Sequence, residues 1–115
     1  MTAAEHAFGK PGSIEEETFG PLPVDKWGSV LLEAQHLVHG ARGVDYGHPL
    51  HDFSRTAMMW SAILGATVTA EQVGLCMIAV KISRLCNSFK RDSIVDIAGY
   101  AETVQMVIDE RKRLA

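Results

Sequence analysis

The stretch that decides the fold is residues 67–87, TVTAEQVGLCMIAVKISRLCN. Thr69 followed three residues later by Gln72 is a capping-box signature, in which each side chain satisfies a backbone N–H at the other's position. A helix is therefore predicted from about Ala70 to Asn87. From Val73 to Cys86 almost every residue in it is apolar, the exceptions being Lys81, Ser83 and Arg84. A helix that is apolar all round is normally buried, so this one is expected at the centre of a bundle. The longest apolar-or-glycine run, Val73 to Val80, is far too short to span a bilayer. Cys76 and Cys86 lie in the same segment without CxxC spacing and read as small, reduced core residues.

Working outward, the helical pattern begins at Trp27. Val30, Ala34, Leu37 and Val38 form one stripe, and Gly40 stops it. The stretch ARGVDYGHP has no periodicity and reads as a loop. A second helix is predicted from about Leu50 to Leu64, with Phe53, Ala57, Trp60 and Leu64 on one face, Met58 and Met59 as core, and Gly65 as its end. The segment NSFKRD breaks the third helix. A fourth begins near Asp92 or Ser93, turns Ile94, Ile97, Ala98, Ala101, Val104 and Ile108 inward, and ends in basic residues that suit a helix C-terminus. Neither strands nor internal repeats are evident. The expected fold is all-α, a four-helix bundle-like domain over 27–115. Residues 1–26, punctuated by Gly and Pro, are expected to form an extended or disordered arm, or one lying across a neighbouring subunit. Roughly ninety residues make a thin core for a free monomer, so a homo-oligomer, dimer or tetramer, is expected.

A formal charge of -3 and a pI near 5.9 supply no basic field, which argues against general nucleic-acid binding. The N-terminal sequence MTAAEHAFGKPG lacks a signal pattern, so a cytoplasmic protein with no membrane association is expected, in the bacterial host if phage-encoded.

Lys81 and Arg84, three apart on an apolar helix, share a face and need partners, because an unpaired buried cation is costly. Carboxylates at Asp92, Asp96 or Glu33 could serve, and so could an anionic ligand such as a phosphate. Asp92 falls where a carboxylate caps free N–H groups, and Asp96 follows one turn later. With a third acid from another helix, for which Glu33 is the candidate, they could hold Mg²⁺. The loop around Arg42, Asp45, Tyr46 and His48 could stack on and read a base, or could be a polar turn. His36, His39, His48 and His51 lie close in sequence, and a His-based metal centre is a further alternative.

The series EAQHLVHGARGVDYGHPLHDF, MMWSAILG, VTAEQVGLCMIAVKISRL and RDSIVDIAGYAE resembles a family of small actinobacteriophage and prophage proteins, over about Leu32 to Val104. Its members are commonly labelled MazG-like, after the all-α nucleotide pyrophosphohydrolases. The resemblance implies an oligomeric helical bundle with a Mg²⁺ site. It also implies cleavage of a nucleoside triphosphate to a monophosphate and pyrophosphate, with water attacking phosphorus while cations absorb the growing charge. It makes Glu33, Asp92 and Asp96 metal ligands, with Glu33 and Asp96 catalytic. Lys81 and Arg84 would hold phosphates, and Arg42, Tyr46, His48 and Tyr100 would contact the nucleotide. The sequence departs from that pattern. MazG enzymes carry an ExxE pair and an ExxD pair; here the first is Glu33-Ala34-Gln35-His36, and the second is replaced by Asp92 and Asp96 at a spacing of four. Fewer carboxylates are compatible with weak Mg²⁺ binding or with a nucleotide binder that does not cleave, and a purely structural bundle is the third alternative.

Overall fold

The computed structural model describes residues 28–40 and 47–115, and the described residues form four α-helices without a strand. The all-α expectation is met. The predicted arm and the loop residues Arg42, Asp45 and Tyr46 lie outside the described residues.

Each helix is bounded by local chemistry. Helix α1, Val30–His39, starts at Ser29, whose hydroxyl accepts the Leu32 N–H at 3.2 Å, and closes at Gly40. Helix α2, Pro49–Leu64, is capped by His48, whose Nδ1 accepts the Leu50 N–H at 3.0 Å. Pro49 follows as its first residue, where a missing N–H costs nothing. Gly65, at φ +67°, supplies the left-handed turn that ends it. Helix α3, Ala70–Asn87, has both bonds of the predicted Thr69–Gln72 capping box. Helix α4, Arg91–Leu114, has 24 residues and so is about 36 Å long.

Helix α4 is the spine. It packs on each of the other three helices, most extensively on α3, and α2 also packs on α3. Its Val95 and Val107 are the largest fully buried side chains among the described residues. Leu50, Phe53 and Ala57 of α2 and Ala70 and Val73 of α3 join Val107 in one cluster, edged by Trp60, Val68 and Tyr100. At Gly74, α3 comes so close to its neighbours that a Cβ would collide with the Val104 side chain and crowd the Phe53 ring at 3.2 Å.

This arrangement corrects several expectations. Helix α3 is not the central helix; only Ala70, Val73, Gly74 and Leu85 of it are buried, and α4 takes the centre. Counting apolar residues around α3 could not show that two of its sides have different fates. One faces α2 and α4, while the other, with Leu75 and Ile82 about half exposed, is open in the single chain. Cys76 and Cys86 are exposed free cysteines, not core residues. Met58, Met59 and Leu64 are largely exposed as well, because α2 is covered only along its Leu50–Phe53–Ala57 face. No helix among the described residues is long and apolar enough to cross a membrane.

Candidate functional site: a polar cavity where α3 meets α4

The break between α3 and α4 brings the end of one helix against the start of the next. A cavity of about 390 Å³ opens there, lined by Lys81, Arg84, Asn87, Ser88, Lys90, Asp92, Ser93 and Asp96. Lys81 reaches across from α3 to α4, its Nζ 2.9 Å from Asp96 Oδ2, with the lysine only 14% exposed. This answers which carboxylate partners Lys81. Glu33 is engaged elsewhere: it pairs with Arg91 and ties α1 to the first turn of α4.

Asp92 is not the cap of the last helix. The N-cap is Lys90, which makes no side-chain capping bond, and Asp92 sits inside the first turn. There its carboxylate interacts favourably with the positive end of the helix without satisfying a specific N–H. Among the described residues Arg84, Lys90 and Asp92 make no ion pair, whereas Lys81 and Asp96 neutralise one another. The lining therefore has one cation in excess, beside the N-terminus of a 24-residue helix, a setting suited to an anion.

The structure brings together Lys81, Arg84, Asp92 and Asp96 and leaves other expected residues apart. Tyr100 packs on Phe53 with ring centroids 6.4 Å apart. It lines a small apolar hollow between α1 and α4 with Leu37, Val38 and Asp96, so Asp96 borders both spaces. That hollow, at about 20 Å³, holds little more than one water. His48 is far from the cavity: its Nε2 is 3.5 Å from Glu110, and Glu110 lies about 21 Å along α4 from Asp96. His39 bonds Glu102 at 3.1 Å. Among the described residues no group of three His, Cys, Asp or Glu side chains is placed to hold a metal. Lys90, Asn87, Ser88 and Ser93 were missed by sequence reasoning. Their signal was the polar segment NSFKRD, read as a helix break, and Ser93, read as a possible start of the last helix.

The donor set can be tested against Mg²⁺. Asp92 and Asp96 both line the cavity, while Glu33 does not. Two carboxylates suit Mg²⁺ shared with substrate phosphates, the ion's usual mode, and do not suit an all-protein cage.

Towards the far end of α4 a cavity of about 240 Å³ lies beside His48 and Met106; its described lining has no Lys, Arg, Asp or Glu, and the arginine ion pairs there stand outside it. Arg111 donates two hydrogen bonds to Glu71, both at 2.6 Å. Those bonds hold the Glu71 carboxyl below its ordinary value and the Arg111 guanidinium above its own. Arg113 lowers Glu110 in the same way, with His48 and His51 adding smaller effects.

These features define a small all-α protein with a mixed-charge, net basic cavity at the start of its longest helix. The chain belongs to the family described as Domain of unknown function (DUF6378), whose model matches residues 29–108. It is similar to the Gene 55 protein of Mycobacterium phage D29, 40% identical over 83 residues, covering 71% of this chain and 55% of that protein. The Gene 55 protein of Mycobacterium phage L5 is also 40% identical, over 88 residues, with 72% and 56% covered. The chain thus spans about half the length of these curated relatives. Both are phage proteins, in keeping with the phage resemblance of the sequence. No solved structure matches the chain.

Proposed function

We propose that the α3–α4 cavity binds the phosphates of a nucleotide. We propose further that the chain is a MazG-type pyrophosphohydrolase, converting a nucleoside triphosphate to a monophosphate and pyrophosphate. The supporting observation is that Arg84 and Lys90, without ion-pair partners among the described residues, line a polar cavity whose Lys81–Asp96 pair is internally neutral. In this reading Arg84 and Lys90 take the non-bridging phosphate oxygens, and Lys81, fixed in place by Asp96, adds a third cation. Asp92 and Asp96 are the residues that would hold Mg²⁺, which would supply neutralisation of the phosphate charge that the cations leave. Asp96 is then the carboxylate positioned to accept a proton from water. Glu33, held by Arg91 outside the lining, fixes α1 and takes no part in the chemistry. Tyr100, packed on Phe53 and outside the cavity lining, makes no nucleotide contact in this reading.

A second reading, a nucleotide binder without turnover, is favoured by one observation: the carboxylates of Glu33 and Asp96 both already face cations. A thermal-shift panel of ribo- and deoxynucleoside triphosphates and cyclic nucleotides, with and without Mg²⁺ and with pyrophosphate release read alongside, separates the two. The enzyme reading expects stabilisation by several degrees and Mg²⁺-dependent pyrophosphate release that Asp92→Asn abolishes. Stabilisation without release leaves the binder. No shift with any nucleotide overturns both readings and leaves a structural bundle.

A further inference from the structure

The two carboxylates of the α3–α4 cavity pose a problem of charge. Asp92 and Asp96 are four apart on α4 and line the same cavity, a spacing at which like charges repel. In the chain without ligand one of them is neutralised: Lys81 Nζ lies 2.9 Å from Asp96 Oδ2, with the lysine 14% exposed. Asp92 makes no ion pair among the described residues. The neutralising cation comes from the other helix, on the flexible four-carbon stem of a lysine, whose ammonium has three donors and no fixed plane. The covered pair beside it, Arg91 with Glu33, is made instead by a rigid guanidinium.

Three cations line the cavity, Lys81, Arg84 and Lys90, and among the described residues Lys81 alone is bound to a carboxylate. Lys81 is therefore the cation for which the cavity offers two anionic partners, Asp96 and an incoming phosphate. While the ammonium sits on Asp96, a divalent cation on the same carboxylate is repelled by it at close range. A phosphate held by Arg84 and Lys90 brings further acceptor oxygens into the cavity and gives the ammonium somewhere else to go.

We propose that Lys81 is a latch released by phosphate. In the free chain its ammonium stands in for a metal ion at Asp96; when phosphate enters, Lys81 exchanges the carboxylate for a phosphate oxygen and leaves Asp92 and Asp96 together for a divalent cation. Metal binding is then conditional on phosphate, and by linkage phosphate binding is strengthened by the metal to the same degree. The inference rests on the reading of this cavity as a phosphate site and adds to it how the site is controlled.

The test titrates Mn²⁺, followed by electron paramagnetic resonance, into the full chain without any phosphate. Wild type is expected to bind it weakly. Lys81→Met, checked for helicity by circular dichroism, is expected to bind it about 10-fold more tightly or better, because Asp96 is then unmasked. Arg84→Met removes the same charge from the same cavity without touching Asp96, and is expected to gain less than about 3-fold. No gain in Lys81→Met, or equal gains in both variants, overturns the latch. A second measurement needs no variant: in metal-free wild type, the carboxyl carbon resonance of Asp96 should shift when pyrophosphate is added. Binding of pyrophosphate, detected by calorimetry, that leaves this resonance in place overturns the latch and leaves the nucleotide reading standing. If neither pyrophosphate nor any nucleoside triphosphate binds, the nucleotide reading fails and the latch fails with it.

Discussion

The two ends of α4 use the same chemistry to different effect. At its C-terminal end Arg111 holds Glu71 and Arg113 holds Glu110, with the arginines about half to two-thirds exposed. At its N-terminal end Lys81 holds Asp96 and Arg91 holds Glu33, with all four side chains mostly covered. At the second end Arg84 and Lys90, outside ion pairs among the described residues, line an open polar cavity beside the pairs, whereas the described lining of the cavity near the first end, beside His48, has no Lys, Arg, Asp or Glu. Ion pairs alone therefore do not mark a site. What distinguishes one is charge left over after pairing, held where a ligand can enter.

The largest expected effect tests that distinction directly. Reversing the surplus charge with Arg84→Glu and Lys90→Glu should weaken binding of nucleoside triphosphates at least 100-fold in calorimetry, with the melting temperature of the free protein little changed. Arg111→Ala and Arg113→Ala together should leave the affinity unchanged. Equal losses from both double variants would mean that long-range charge, not the cavity, governs binding, and the contrast between the two ends would collapse.

An intermediate effect is expected on stability. Lys81→Met leaves the Asp96 carboxylate, 30% exposed, without its cation and should cost about 1–3 kcal/mol in urea denaturation. Lys81→Met with Asp96→Leu should recover much of that loss, since an apolar pair of similar size can replace a covered ion pair. If the double variant is as unstable as the two single losses added together, Lys81 and Asp96 act independently and the pair does not organise the cavity.

How much of this was legible follows from where the information resides. Thr69 and Gln72, and Gly65 beyond Leu64, are local signals, and the corresponding helix ends lie within a residue of the prediction. The pairing of Lys81 was legible as a need, because a cation on an apolar helix must find a partner, and Asp96 was among the named candidates. The choice of Asp96 over Glu33 was not legible, since it depends on Arg91 claiming Glu33 across 58 positions of chain. The rank of the helices was misread for a related reason. Composition shows that α3 is apolar on every side, but only packing shows that α4 touches three helices while one side of α3 touches none of the described ones. His48 was read as a ligand-contacting residue from its loop; its described bonds are to the start of α2 and to Glu110.

The smallest effect is a pH dependence, and it belongs to the C-terminal end. The Glu71 carboxyl is held below its ordinary value of 4.5, chiefly by its hydrogen bonds from Arg111. A depressed folded-state value means that the unfolded chain takes up this proton first as pH falls. The contribution of the pair is therefore complete above about pH 4.5, declines below it, and is gone once pH has passed through the folded value. Because the pair is largely solvated, the stabilisation is modest and screened by salt. Melting curves of wild type and Glu71→Gln should accordingly differ by a small constant amount from pH 7 to pH 5 and draw together as pH falls below about 4.5 and through the lowered folded-state value. Curves that stay parallel to pH 3 would show that the Glu71–Arg111 bond contributes nothing pH-dependent.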